Sequence, residues 1–166
     1  MKTKKSKRIL KKEFFITLFF KQNKWHKYGV LKHTLAVAFH ALKAKKFRFI
    51  PAALLHDIGK PLVAFQTSKD KLTKEYSFHN HEEVSYQIIK NWKISTYTKD
   101  LVRYHYLIRG MQKSKERNLM GKYNRMKRSY DKLDNDFIKE LELFMYFDDL
   151  AKKSFFKTKK RDELTC

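Results

Sequence analysis

Pro51-Ala52-Ala53-Leu54-Leu55-His56-Asp57-Ile58-Gly59-Lys60-Pro61 is the stretch around which the chain is organised. Pro51 suits the first helical position, where its missing N–H costs nothing. Ala52 to Leu55 are good helix formers. Gly59 suits the residue just past a helix end, and Pro61 cannot continue the helix. This punctuation predicts a short apolar helix with His56 and Asp57 in its last turn. The partial negative charge at that end favours a cation. An imidazole and a carboxylate side by side there match two ligands for one divalent metal. A capping pair, with Asp57 exposed and His56 packed, explains the same dipeptide. The dipeptide alone leaves both readings open.

At 166 residues the chain is expected to form one domain with a sizeable core. Its 42% hydrophobic and 15% aromatic content excludes disorder by composition. Four Gly and two Pro leave few places for tight β-turns, and the apolar spacing is helical, so an all-α fold is expected. Thirty-nine Lys and Arg against 17 Asp and Glu give a net charge of +22. A genomic bias towards Lys over Arg does not explain the shortage of acids. Such a charge implies a polyanionic partner, with nucleic acid first and an anionic membrane surface second. The single cysteine, Cys166, cannot form an internal disulfide. That fits a reducing compartment, and the expected one is the cytoplasm, or a host's cytoplasm if the chain is viral.

Met1 to Lys12 is strongly basic, and Phe14-Phe15-Ile16-Thr17-Leu18-Phe19-Phe20 follows it. The pair mimics a secretory signal, but Lys21 to Lys24 stand where a small-residue cleavage site belongs. The run is also far too short to span a membrane. Residues 9 to 22 are read as a helix packing on the core, with a basic tail before it. An amphipathic membrane-surface helix is the minority reading, because the run is apolar nearly all round. Trp25 and Tyr28 lead into the next helix, and His26 is read as surface or core filler.

Residues 29 to 46 are read as a helix buried on most of its circumference, since His33 to Leu42 carries no charged side chain. His33 and His40 lie two turns apart on roughly one face. Phe65 to Glu75 is polar and loop-like. Tyr76-Ser77-Phe78-His79-Asn80-His81-Glu82-Glu83-Val84-Ser85-Tyr86 then opens a helix with acids in its first turn. A further helix is expected over about 97 to 108, carrying His105. Residues 111 to 132 hold eight Lys and Arg against Glu116 and Asp131, with Tyr123 and Tyr130 interleaved and Gly121 as the break. Cations there suit phosphates and the tyrosines suit bases, although a solvated helical hairpin reads the same way. Asp134 and Asp136 open a last helix. Its stripe of Phe137, Leu141, Phe144 and Met145 ends on Asp148, a carboxylate costly to bury unless paired or bound to metal. After Lys152 the tail is basic again.

His56-Asp57-Ile58-Gly59-Lys60 resembles the signature of the HD-domain metal-dependent phosphohydrolases, helical enzymes that cleave phosphoesters mostly in nucleotides. The resemblance covers roughly residues 29 to 152, the expected core of a single domain over 1–166 with basic tails. It implies a bundle of about five to seven helices. His33 corresponds to the family's first His, and His40 is left to packing or to support of a ligand. Phe78, His81, Glu82 and Ser85 match the family's Phe-x-Gly-His-Glu pattern and its following Ser, with Asn80 replacing Gly. Asn tolerates the left-handed conformation that Gly uses. His81 is preferred to His79, His105 matches the last His, and Asp148 matches the late Asp, with Asp149 as the register alternative.

The resemblance implies a first metal on His33, His56, Asp57 and Asp148. A second, on His81 and His105 with Asp57 bridging, occurs in some relatives. Mixed N/O ligands suit Mn²⁺, Co²⁺, Ni²⁺, Fe²⁺ or Zn²⁺, with Mg²⁺ as a further option. Asp57 and Lys60 are the implied catalytic pair. Lys60 meets a phosphate oxygen, and Arg109, Lys113, Arg117, Lys122, Arg125 and Arg128 supply further substrate contacts. The motif combination is closest in look to the phosphohydrolase domain of bacterial tRNA nucleotidyltransferases and of RNA-repair kinase–phosphatases. With the charge, this favours hydrolysis of 2′,3′-cyclic, 2′- or 3′-phosphates at RNA ends. A small-nucleotide phosphatase or dNTP triphosphohydrolase is the alternative enzyme. A non-catalytic nucleic-acid-binding protein on an HD scaffold is the alternative class. The sequence leaves the oligomeric state open.

Overall fold

The computed structural model describes residues 12–20, 22–24 and 26–153. The basic run Met1–Lys11, Lys21, Trp25 and the tail Ser154–Cys166 lie outside the described residues, and so do the expectations placed on them. The described residues form ten α-helical segments and no strand, only two isolated bridges, Asn23 with His26 and Phe65 with Ser77. Seven helices have eight residues or more: α1 (Lys12–Phe19), α2 (Val30–Lys43), α6 (His81–Ile89), α7 (Thr96–Tyr104), α8 (Leu107–Glu116), α9 (Met120–Tyr130) and α10 (Asn135–Lys153). Three are shorter: α3 (Ile50–Leu55), α4 (Lys60–Val63) and α5 (Ser68–Thr73). Among the described residues no helix is long and apolar enough to cross a membrane.

The centre of the bundle is α2, which packs on α3 and α10. Its buried side is Val30, His33, Thr34, Ala36, Val37, His40 and Ala41. The small Ala36 and Ala41 let neighbouring helices approach, while Leu31, Leu35 and Leu42 stay about half exposed. So α2 is buried on one broad face and not on most of its circumference. A turn through left-handed Lys45 and a 3-10 turn at Phe47–Phe49 reverse the chain into α3. Phe49 is fully buried against Phe144, Phe147 and Tyr97. Burying one such ring stabilises by about 1.5–3 kcal/mol. Ala52, Ala53, Ile89, Leu101, Val102, Leu141 and Ala151 complete this core.

Several boundaries differ from the expected ones, each for a local reason. The polar stretch after Phe65 contains α5, started by a capping box between Thr67 and Asp70. The helix expected over 97–108 is two helices, because α7 ends at Tyr104 and α8 begins at Leu107. The basic segment breaks at Asn118, which adopts φ 55°, and not at Gly121, which lies inside α9. Pro61 opens α4 instead of merely ending α3. On α1, Phe15 and Phe19 are half exposed or more, as is Phe20 just past its end, so this helix covers α2 and α4 with one face only.

Candidate metal centre

The His56-Asp57 pair follows α3 directly, with His56 as its C-cap. The turn is held in place by the next layer. The Gly59 N–H donates to Ser85 Oγ at 2.9 Å, in the buried interior of α6. A Cβ on Gly59 would stand 2.7 Å from the His81 carbonyl oxygen and the Ser85 nitrogen. Gly59 has φ −78°, so close approach to α6 is the reason for the glycine, not a left-handed turn. Asn80 does take the left-handed conformation, φ 55°, as the N-cap that sets His81 at the start of α6.

Three imidazoles are oriented by one device. Nδ1 of His56 donates to the Ala53 carbonyl at 2.8 Å, that of His81 to Phe78 at 3.0 Å, and that of His105 to Val102 at 2.7 Å. A carbonyl only accepts, so each Nδ1 carries the proton and each Nε2 presents its lone pair inward. Asp57 stands between them. Its Oδ2 is 3.2 Å from His56 Nε2 and 3.6 Å from His33 Nε2. Its Oδ1 is 3.4 Å from His81 Nε2 and 3.7 Å from His105 Nε2. One carboxylate therefore serves two donor groups, His33–His56–Asp57 and Asp57–His81–His105, each with its atoms within 4.8 Å. Asp148 joins the first group, with Oδ1 2.9 Å from His33 Nε2 and 3.8 Å from His56 Nε2.

Electrostatics fit the same reading. Burial opposes charge on Asp57, but His56 and Lys60 outweigh it and hold the carboxyl well below the usual range. On Asp148 burial is likewise overcome, by Lys152 and His33. Burial lowers His33 and His81, and burial together with His56 and His81 pushes His105 well down. His56 alone is raised, because Asp57 overcomes its burial. The in-facing lone pairs of His81 and His105 stand 3.2 Å apart. His56 Nε2 and Asp57 Oδ1 are buried without a hydrogen-bond partner among the described residues. Opposed lone pairs and orphaned acceptors are costly, and a divalent cation answers all of them together. The donor set fits a metal.

A family model described as HD domain matches residues 30–151. The chain belongs to the HD-domain family. No curated protein and no solved structure matches the chain. Members of the family are generally metal-dependent hydrolases.

The HD domain gathers His33, His56, Asp57, His81, His105 and Asp148 around one point and leaves other candidates out. His79 is exposed and packs on Phe65. His40 is buried in α2 outside both donor groups. Asp149 is half exposed and pairs with Arg109 and Lys152, so the register places Asp148 at the cluster. Lys60 is buried, with Nζ 2.7 Å from Asp57 Oδ2. Arg109, Lys113 and Arg117 gather with Lys152 near Tyr106, whose ring lies 5.8 Å from that of His81. Lys122, Arg125 and Arg128 are exposed on α9, and Arg125 reaches a cleft of about 270 Å³ beside Glu82, Glu83 and Arg103.

Two residues of the HD domain's site were not singled out from sequence. His26 is buried, its ring 5.1 Å from that of His33 and its Nε2 3.5 Å from Lys60 Nζ. Asn23 Oδ1 accepts from both the backbone N–H and Nδ1 of His26, which fixes that ring's tautomer as well. Burial, Lys60 and His33 lower its pKa. His26 sits in an irregular segment, where periodicity carries no signal. Lys152 pairs with Asp148 and Asp149, and its position four residues after Asp148 was a readable helix-pair signal.

Proposed function

We propose that this HD domain is a metal-dependent phosphohydrolase cleaving phosphoester bonds of nucleic-acid ends or nucleotides, with RNA favoured. The observation that carries it is the sharing of one buried carboxylate, Asp57, between two histidine pairs. His33, His56, Asp57 and Asp148 would hold one cation, and Asp57, His81 and His105 a second. When bound, such a cation lowers the pKa of a water and polarises a phosphoryl oxygen. The chain's own residues do the rest. Lys60 neutralises Asp57 and offers its ammonium to a non-bridging phosphate oxygen. The i−3 carbonyls keep His56, His81 and His105 in the ligating tautomer. Lys152, Arg109 and Lys113 bring positive charge to the edge of a centre rich in carboxylates and lone pairs. The net charge of +22 supports a polyanionic substrate over a small nucleotide.

The test is hydrolysis by purified protein with added Mn²⁺, Co²⁺, Ni²⁺, Zn²⁺, Fe²⁺ or Mg²⁺. The panel holds 2′,3′-cyclic nucleotides, RNA with 3′-phosphate ends, nucleoside monophosphates and dNTPs. Metal-dependent release that vanishes in Asp57→Asn is the expected result. Release from free nucleotides alone would move the assignment to a nucleotide phosphatase. No turnover with any metal would overturn the enzyme reading.

A further inference from the structure

Arg109 and Lys113 on α8, and Arg117 at its C-cap, recur every fourth residue. Residues four apart stand above one another on a helix face, about 6 Å apart along the axis. The row starts at the metal centre. Arg109 pairs with Asp149, the neighbour of Asp148, and Lys152 pairs with both. Lys113 Nζ lies 5.9 Å from the centre of the Tyr106 ring, which in turn packs on His81. Burial, then Arg109, Lys152 and Arg117, lower the Lys113 pKa, so the cations of the row feel one another. The acids beside the row are Asp149, shared between Arg109 and Lys152, and Glu116, near Lys113.

A row of cations at that step matches the repeat of phosphates along an extended strand. A mononucleotide carries its charge in one place and leaves the far end of the row without a partner. We propose that Arg109, Lys113 and Arg117 form a phosphate track. A single-stranded polynucleotide lies along it, its terminal phosphoester at the His–Asp centre and successive internal phosphates on the three cations. Tyr106, between the centre and the track, offers its ring for a base to stack on. This rests on the phosphohydrolase reading and sharpens it: the substrate is a chain several nucleotides long. The track reads phosphates, so it binds RNA and single-stranded DNA alike.

The experiment measures binding apart from turnover. Fluorescein-labelled, 3′-phosphorylated single-stranded RNAs of one to eight nucleotides are titrated with the full-length Asp57→Asn protein by anisotropy, across a salt series. The same is done with R109A/K113A/R117A and with a charge-matched control, K45A/K46A/K93A, both in the Asp57→Asn background. Circular dichroism verifies that each variant is folded. Expected is an affinity that climbs over the first few nucleotides and then levels. The track variant should lose roughly tenfold or more in affinity and about 2 from the slope of log K against log salt, at ~0.7 per phosphate contact. The control should lose much less. Affinity independent of length, or equal losses in both variants, overturns the track. Turnover by the unmutated protein separates the two readings. Equal kcat/KM on mononucleotides and oligomers also overturns the track while leaving the phosphohydrolase. Length-dependent, salt-sensitive binding without turnover under any metal supports the track and removes the enzyme.

Discussion

Around Asp57 three of the four imidazoles are held from behind by a backbone carbonyl, whereas the cations of α9 are held by little more than their place on a helix. His56, His81 and His105 each spend one nitrogen on a backbone carbonyl to aim the other. The turn carrying Asp57 is pinned to Ser85 through Gly59. On α9, by contrast, no residue is buried, and Lys127 finds its partner in Asp131, the C-cap of the same helix. The first region works by position and the second by charge. Long-range charge tolerates side-chain movement that a ligand set does not. Substitutions in the first region should therefore act nearly all-or-none, and those in the second should act in graded, salt-dependent steps.

The largest break is expected from Asp57→Asn. It keeps the shape of the side chain, removes the charge shared by both donor groups, and leaves Lys60 without its closest partner. Turnover should fall by more than the ~10- to 100-fold that loss of an outer partner of a metal ligand costs. Arg117→Ala, in the other region, should instead raise KM at moderate salt with kcat nearly unchanged. Steady-state kinetics at two ionic strengths check both. Similar kcat losses for the two variants would erase the distinction between the regions.

Acid should reach the buried region before the exposed one. His33, His81, His105 and His26 all have lowered pKa values, chiefly through burial. A ring that resists protonation in the folded state contributes stability that is present above the ordinary imidazole value. That stability is lost as pH falls below about 6.5, because the unfolded chain then takes up protons that the folded chain refuses. His56 runs the other way: its pKa is raised, so its contribution is present at low pH and fades as pH rises through its folded value. Four rings outweigh one. Thermal melts of chelator-treated protein should show a clear drop in Tm between pH about 7.5 and 5.5. A flat profile over that range would mean that the rings are not held neutral.

The same division governs what could be read from the sequence. His56 and Asp57 were placed near a helix end by Pro51, although α3 stops at Leu55, one residue before them, and Gly59 caps α4 instead of ending α3. Asn80 was readable because its side chain tolerates the left-handed turn before His81. That His33 and Asp148 stand beside them followed from a family pattern, since sequence distance says nothing about which helices meet. His26 was missed because an irregular segment has no period to betray which way a ring points. The break of the basic segment was placed at Gly121 on propensity, yet Asn118 took the left-handed position and Gly121 was absorbed into α9. The helix over 97–108 was read through His105, although the ring gains its aim from the end of α7, where Val102 offers its carbonyl.

The smallest effect tests the comparison most directly, because it uses one substitution in both regions. At Gly59 a new Cβ meets backbone atoms at 2.7 Å on α6, where neither the His81 carbonyl nor the Ser85 nitrogen can swing aside. Gly59→Ala should destabilise by about 1–3 kcal/mol, as overpacking does, and displace His81 with it. At Gly121 a new Cβ meets nothing within 4 Å, and no glycine has positive φ among the described residues. Gly121→Ala removes backbone freedom from the unfolded chain and should stabilise by about 0.4–1 kcal/mol. Urea midpoints at constant m-value give both numbers on one scale. Opposite signs would mean that the packing of the metal-centre turn, not helix propensity, sets the local energetics there. A stabilising Gly59→Ala would mean that the turn can separate from α6, and the aim of His81 would then need another source than that contact.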